Sequence, residues 1–232
     1  MVVVEVGSPT PRTVRVVVQG DLADWPEPGA AAHTKVFLPD TPSGPVMRTY
    51  TVRHFHRAEG LVTIDFLLNP GLGPATQWAA RVVPGMRMEL GGRSRSAFSP
   101  DPDAGRYLFA GDESALPAIA TCLESLPASA HACVIAEIPD EAEAQSFTSP
   151  ATVTGQWVLL DGDGSALKGE VIAAARAERY DRIWVACEAA TMRAIRRALL
   201  DEGVPTDRLT TRGYWKRGES DHSDHDTGAD VS

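Results

Sequence analysis

The spacing of hydrophobic residues changes near residue 100, and this change constrains the fold more than any other feature of the chain. Before it, apolar side chains alternate with polar ones: Val14, Val16 and Val18; then Val62, Ile64, Phe66 and Leu68; then Met86, Met88 and Leu90. A period of two buries one face of a sheet. Turn-forming residues over 39–45 (PDTPSGP) separate such runs, and one helical interruption is expected near residues 75–81. Short strands in series predict a small antiparallel barrel of Greek-key type. After residues 101–105 (DPDAG) the pattern becomes compact apolar runs at 106–110, 131–138, 157–160 and 181–187. Helical stripes alternate with them: Leu116, Ile119, Ala120 and Leu123; Leu167, Val171, Ile172 and Ala175; Met192, Ile195 and Leu199. Strands alternating with helices predict an α/β domain with a mostly parallel sheet, which binds ligands beyond the carboxyl ends of its strands. The expected organisation is therefore two-domain, β followed by α/β, over residues 1–103 and 104–218. Residues 219–232, polar and acidic, read as a disordered tail. The cluster at 221–226 (DHSDHD) is a weak chelator at most, and a solubilising tail is the plainer reading.

Charge and cysteine content narrow the function classes. Acidic residues outnumber basic ones 31 to 22, a formal charge of -9. Phosphate backbones need the opposite surplus, so nucleic acid is not an expected partner. No stretch approaches the roughly 20 apolar residues of a membrane span. The first residues show no basic leader followed by an apolar block. Cys122, Cys133 and Cys187 are sparse and odd in number, which argues against a disulfide framework, and their spacing matches no zinc or iron–sulfur site. A monomeric cytoplasmic protein with no protein-ligated metal is expected.

Four stretches could carry chemistry. In RTYTVR, residues 48–53, Arg48 and Tyr50 fall on one face of a strand, a phosphate-gripping guanidinium beside a stacking plane. Cross-strand packing is the alternative. In GLGPATQWA, residues 71–79, glycines and a helix start could aim unpaired N–H groups at a phosphate, or form an ordinary Gly-Pro turn. In GDESALPAI, residues 111–119, Ser114 is a candidate N-cap and Pro117 suits a first helical turn. The stretch lacks the GxGxxG dinucleotide fingerprint. In GYWKRG, residues 213–218, two aromatics adjoin two cations, suited to covering an aromatic cofactor and drawing in an anion or to closing the sheet.

Together with the strand WVACE at 184–188, and in this order, these stretches resemble the siderophore-interacting proteins, flavin-dependent ferric-siderophore reductases of the ferredoxin-reductase-like superfamily. The resemblance runs from about residue 14 to 218. It implies an FAD-binding barrel followed by an NAD(P)H-binding α/β domain. By the same resemblance, Arg48 holds the FAD pyrophosphate, Tyr50 packs on the isoalloxazine and Thr51 bonds its reactive edge, making Tyr50 and Thr51 the catalytic candidates. Gly73, Pro74, Ala75 and Thr76 cradle FAD phosphate, and Thr49, Asp65 and Leu67 are further cofactor-binding candidates. Asp112, Glu113 and Ser114 border the nicotinamide nucleotide, with Ala115 and Glu188 as further cofactor-binding candidates, while Tyr214 and Trp215 shield the flavin. Arg53, Arg93, Arg95, Lys216 and Arg217 are the candidates for an anionic substrate. The chain departs from the family pattern at Asn69-Pro70, Gly92 and Cys187. Cys187 could narrow the nicotinamide approach or simply pack.

The implied activity moves electrons from NADH or NADPH through FAD to a ferric siderophore, releasing Fe(II). The flavin joins a two-electron donor to a one-electron acceptor, so no acid–base triad is needed. His33, His54, His56 and His131 have no nucleophile beside them in the sequence. Hard oxygen ligands favour Fe(III), so reduction weakens the chelate. The alternatives are a flavin reductase serving another acceptor or fed by ferredoxin, and a non-catalytic carrier of FAD or siderophore.

Overall fold

Valine alternation in the first hundred residues produces strands that hydrogen-bond to antiparallel neighbours. The computed structural model describes the chain except residues 40, 42–43, 69–72, 96, 220–225 and 229–232, and the side chains of residues 93–95. Two units emerge: Met1–Ser99 with Ala120–Cys122, and Pro100–Ile119 with Leu123–Ser232.

The first unit contains β1 (Val2–Thr10), β2 (Thr13–Gln19), β3 (His33–Leu38), β4 (Val46–Thr51), β5 (His54–His56), β6 (Leu61–Leu67) and β7 (Glu89–Arg95). They form a four-stranded sheet in the order β1-β2-β6-β5 and a three-stranded sheet in the order β4-β3-β7. Every pairing is antiparallel. Val16, Val18, Val62, Ile64 and Phe66 of the first sheet share one core with Val36 and Leu38 of the second. Each such side chain contributes about 1.5–3 kcal/mol by leaving water. The expected helical interruption is α1 (Pro74–Ala79), whose Trp78 is fully buried, 5.4 Å from Phe66 between ring centres. The strand expected at Met86 starts at Glu89 instead. Gly85 turns the chain at φ 94°, and Arg87 makes only an isolated bridge to Val2. Met88 is nevertheless fully buried, so its alternation reflects burial without a ladder.

The second unit holds one five-stranded parallel sheet: β8 (Arg106–Asp112), β9 (His131–Ile138), β10 (Thr152–Leu159), β11 (Arg182–Glu188) and β12 (Leu209–Trp215), in the order β10-β9-β8-β11-β12. The order reverses between β8 and β11, the switch point at which such sheets open a crevice. Helices α2 (Leu116–Ser125), α3 (Ser165–Ala177) and α4 (Ala189–Asp201) connect the strands. At the switch point Gly111 has no room for a side chain. An added Cβ would stand 2.3 Å from the Ala186 carbonyl oxygen and 2.6 Å from the Ala115 methyl. β10 begins five residues before the apolar run that announced it, because its first half is a largely exposed edge whose pairing is made by the backbone.

Within the segment expected as a disordered tail, residues 219 and 226–228 are described. Asp226–Gly228 lie along β12: the Gly213 N–H donates to the Asp226 carbonyl at 2.8 Å, and the Thr211 hydroxyl donates to the Thr227 carbonyl at 2.6 Å. Arg193 pairs with the Asp226 carboxylate at 2.7 Å. These bonds hold polar sequence without apolar burial, which composition does not reveal. Residues 221–225 of the suggested chelating cluster lie outside the described residues. Cys122, Cys133 and Cys187 are free thiols. Among the described residues, no helix is long and apolar enough to cross a membrane.

Candidate functional site

In the first unit the candidate site is built on β4, a sheet-edge strand in which every residue from Val46 to Thr51 is half-buried. Arg48 and Tyr50, two residues apart, project to one face. The Arg48 guanidinium donates to the Met47 carbonyl at 2.7 Å. The Tyr50 ring packs 4.5 Å from Phe66, tilted by 45°. Burial pushes the Tyr50 phenol well above its usual range, and the nearby Arg48 charge offsets only part of that rise. Thr49 points the other way and accepts a hydrogen bond from Lys35 at 2.6 Å. Below β4, α1 starts at Pro74 after Gly73, and an added Cβ on Gly73 would meet nothing within 4 Å. The N–H groups of Ala75 and Thr76 fall in the first helical turn, where no intrahelical acceptor exists. The Thr76 hydroxyl donates to the Leu67 carbonyl at 3.3 Å, fixing α1 to β6.

Asp65, expected among the cofactor-binding residues, is held in an ion pair. Arg15, its cross-strand partner, grips both carboxylate oxygens at 2.7 Å each. The carboxylate is only 5% exposed, so this pair is a structural strut of the sheet. Among the substrate candidates of this unit, Arg53 is anchored through its N–H to the Thr63 carbonyl at 2.9 Å. Arg93 and Arg95 belong to β7, but their side chains lie outside the described set, as do Asn69 and Pro70.

In the second unit the strand ends gather carboxylates. Asp112, buried at the end of β8, accepts from the Ser114 N–H at 3.0 Å and the Ser114 hydroxyl at 2.5 Å through one oxygen. Its other oxygen accepts from the Glu188 N–H at 2.9 Å and from the Trp215 indole at 2.8 Å. Burial nevertheless holds the Asp112 carboxyl above its usual range, with those donors pulling it back. Glu188 ends β11 and caps α4, accepting from the N–H groups of Ala190 at 2.7 Å and Thr191 at 2.9 Å. Its second oxygen receives the Arg217 N–H at 3.2 Å. Four of the sequence candidates, Asp112, Ser114, Glu188 and Trp215, thus form one hydrogen-bond network. Glu113 and Ala115 lie in the 3-10 turn between β8 and α2. Tyr214 meets Trp184 edge-on at 6.2 Å, and Lys216 pairs with Glu219. Cys187 packs in the core, its thiol pushed far up by burial.

Sequence reasoning passed over Glu137, next to last in β9 and paired with Asp112 of β8. It is 6% exposed, and its buried Oε1 has no hydrogen-bond partner among the described residues. Burial pushes its carboxyl up to about 7, with the charges of Asp112, Asp161, Asp163 and Glu113 adding to the rise. The signal was a lone acid at the carboxyl end of an otherwise apolar parallel strand.

Antiparallel sheets followed by a parallel sheet of order 3-2-1-4-5 define a ferredoxin-reductase-like architecture. The ferredoxin reductase in carbazole 1,9a-dioxygenase shares this fold, with a TM-score of 0.70 over 92% of this chain and 68% of that one, at 18% identity. Closer likeness lies in a narrower group. Residues 104–218 match the family model described as siderophore-interacting protein, and residues 40–96 match the siderophore-interacting FAD-binding domain. The ferric vibriobactin reductase ViuB of Vibrio cholerae is 28% identical over 240 residues, covering 92% of this chain and 87% of that protein. A siderophore utilization protein from T. fusca superposes with a TM-score of 0.83 at 32% identity, covering 97% of this chain and 94% of that one. The chain belongs to the siderophore-interacting protein family.

Proposed function

We propose that this protein is an FAD-dependent reductase that takes electrons from NADH or NADPH and delivers them to a ferric siderophore, releasing Fe(II). One observation carries the reading: a guanidinium and a phenol ring share one face of β4, inside the segment that matches an FAD-binding domain. The residues fit that group chemically. Arg48 offers charge-assisted donors to a pyrophosphate, the Tyr50 ring offers a plane for a flat heterocycle, and α1 adds amide N–H groups beside an open glycine. Thr51 lies at the end of the same strand, within the run that would meet the ring. FAD, when bound, supplies the ability to accept electrons in pairs and release them singly.

The chain's own residues then bind, orient and exclude water. Phe66 and Trp78 back the Tyr50 ring, so its position is set by the core of the first unit. The raised Tyr50 phenol stays neutral and can serve as a hydrogen-bond donor without titrating. In the first unit Arg53, Arg93 and Arg95 are the cations proposed to meet an anionic chelate; in the second unit Arg217 is exposed and Lys216 is held by Glu219. The name of the Vibrio cholerae relative supports a ferric chelate as the electron acceptor.

The test uses purified protein loaded with FAD. NADH or NADPH should bleach the flavin absorbance without oxygen, and ferric siderophore should restore it while a ferrous chelator traps Fe(II). Failure of both nucleotides to bleach the flavin would remove direct nicotinamide-driven turnover.

A further inference from the structure

The helical starts at the carboxyl edge of the parallel sheet are closed by the chain's own carboxylates. In this fold, helix N-termini beyond the strand ends are ready-made phosphate sites. Here α4 is plugged by Glu188. The start of α3 is plugged twice: Asp161 accepts from the N–H groups of Asp163, Gly164 and Ala166 and from the Ser165 hydroxyl, and Asp163 accepts from the Ser165 N–H. These bonds hold Asp161 well below the usual carboxylate range, so its charge persists. After the first strand of the sheet the start is closed as well, since Asp112 accepts from the Ser114 N–H in the 3-10 turn that leads into α2.

The general rule for such sheets places an acidic residue at the end of the second strand, where it accepts a ribose 2′-hydroxyl, whereas a 2′-phosphate needs an arginine nearby. β9 is the second strand of this sheet, and Glu137 is next to last in it. Among the described residues its buried Oε1 has no hydrogen-bond partner. The Leu160 N–H bonds to the Ile138 carbonyl at 2.9 Å, which brings the Asp161–Asp163 turn against the end of β9. Asp112 flanks Glu137 from β8.

We propose that Glu137 accepts the adenosine ribose hydroxyl of the electron donor and that the surrounding carboxylates, Asp161 and Asp163 above all, exclude a 2′-phosphate, so that the protein uses NADH and rejects NADPH. This rests on the nicotinamide-donor reading above. A hydroxyl completes the orphan oxygen, whereas a phosphate would bring about two more negative charges against the acidic edge.

Calorimetry on the FAD-loaded protein with ADP-ribose and with 2′-phospho-ADP-ribose tests this without turnover. ADP-ribose should bind at least about tenfold more tightly, a gap of about 1.4 kcal/mol. Glu137→Gln should weaken ADP-ribose several-fold, and Asp163→Lys, on an exposed turn, should tighten the 2′-phosphorylated ligand about tenfold. The ratio of kcat/KM for NADH over NADPH should move in step. Equal or tighter binding of the 2′-phosphorylated ligand by the unaltered protein, while NADH still bleaches the flavin, overturns the selection and leaves the donor reading standing. So does an unchanged ratio in both variants. If neither ligand binds and neither nucleotide bleaches the flavin, both readings fall together.

Discussion

Gly73 and Gly111 each stand at the mouth of a helical turn, and they are glycine for opposite reasons. Around Gly111 the protein itself fills the space, with the Ala186 backbone and the Ala115 methyl already inside the radius of a side chain. Around Gly73, beside the first turn of α1, none of the described residues would meet a side chain. The charges differ in the same sense. The first unit presents Arg48 beside an aromatic plane on a half-buried strand, while the second closes its strand ends with carboxylates that cap its own helices. One surface has donors to offer a ligand; the other has spent most of its donors on itself. Similar loop sequences therefore carry different tasks, and the surrounding packing tells them apart.

Substitutions can break or sharpen that contrast. Gly111→Ala should have the largest effect, a loss of about 3 kcal/mol or more, because the obstructing atom at 2.3 Å is backbone and cannot swing away. Urea unfolding, or failure of the variant to accumulate folded, would register it. Arg48→Ala should leave the fold intact and lower FAD affinity roughly 10- to 100-fold, about 1.4–2.8 kcal/mol. Flavin content equal to that of the unaltered protein would refute the phosphate role.

Glu137→Gln should act in the opposite direction, and only at higher pH. The carboxyl is raised from 4.5 to about 7, so the folded protein holds a proton there that the unfolded chain has released. Wild-type stability therefore falls as pH rises through that window, whereas the glutamine variant lacks this slope. Unfolding near pH 8 should find the variant about 1–2 kcal/mol more stable, with the difference gone near pH 4. A variant less stable near pH 8 would mean that the carboxylate has a partner after all. Gly73→Ala should change stability by less than about 0.5 kcal/mol, since its φ of −57° suits any residue. A drop in flavin content at constant stability would then locate ligand contact at that turn.

Legibility in the sequence tracked burial. The strand at 131–138 stands where its apolar run placed it, and α2, α3 and α4 follow their stripes. The first half of β10 and the seating of Asp226–Gly228 were not legible, because backbone hydrogen bonds on an exposed edge need no particular side chains. Within the site, Arg48 and Tyr50 could be paired from strand periodicity alone. The ion pair of Asp65 with Arg15 could not be read there, since it depends on the register between β2 and β6. Glu137 escaped notice because an acid in an apolar run acquires meaning only from what surrounds it.

The chain by itself settled which residues face inward, where period two gives way to alternating strands and helices, and which motifs mark the family. Those properties are local, written in side-chain spacing and composition. Folding decided which acids are struts, which are caps and which is left with an unsatisfied oxygen. Such roles depend on hydrogen-bond partners and fields supplied by residues far along the chain, and no local pattern encodes them.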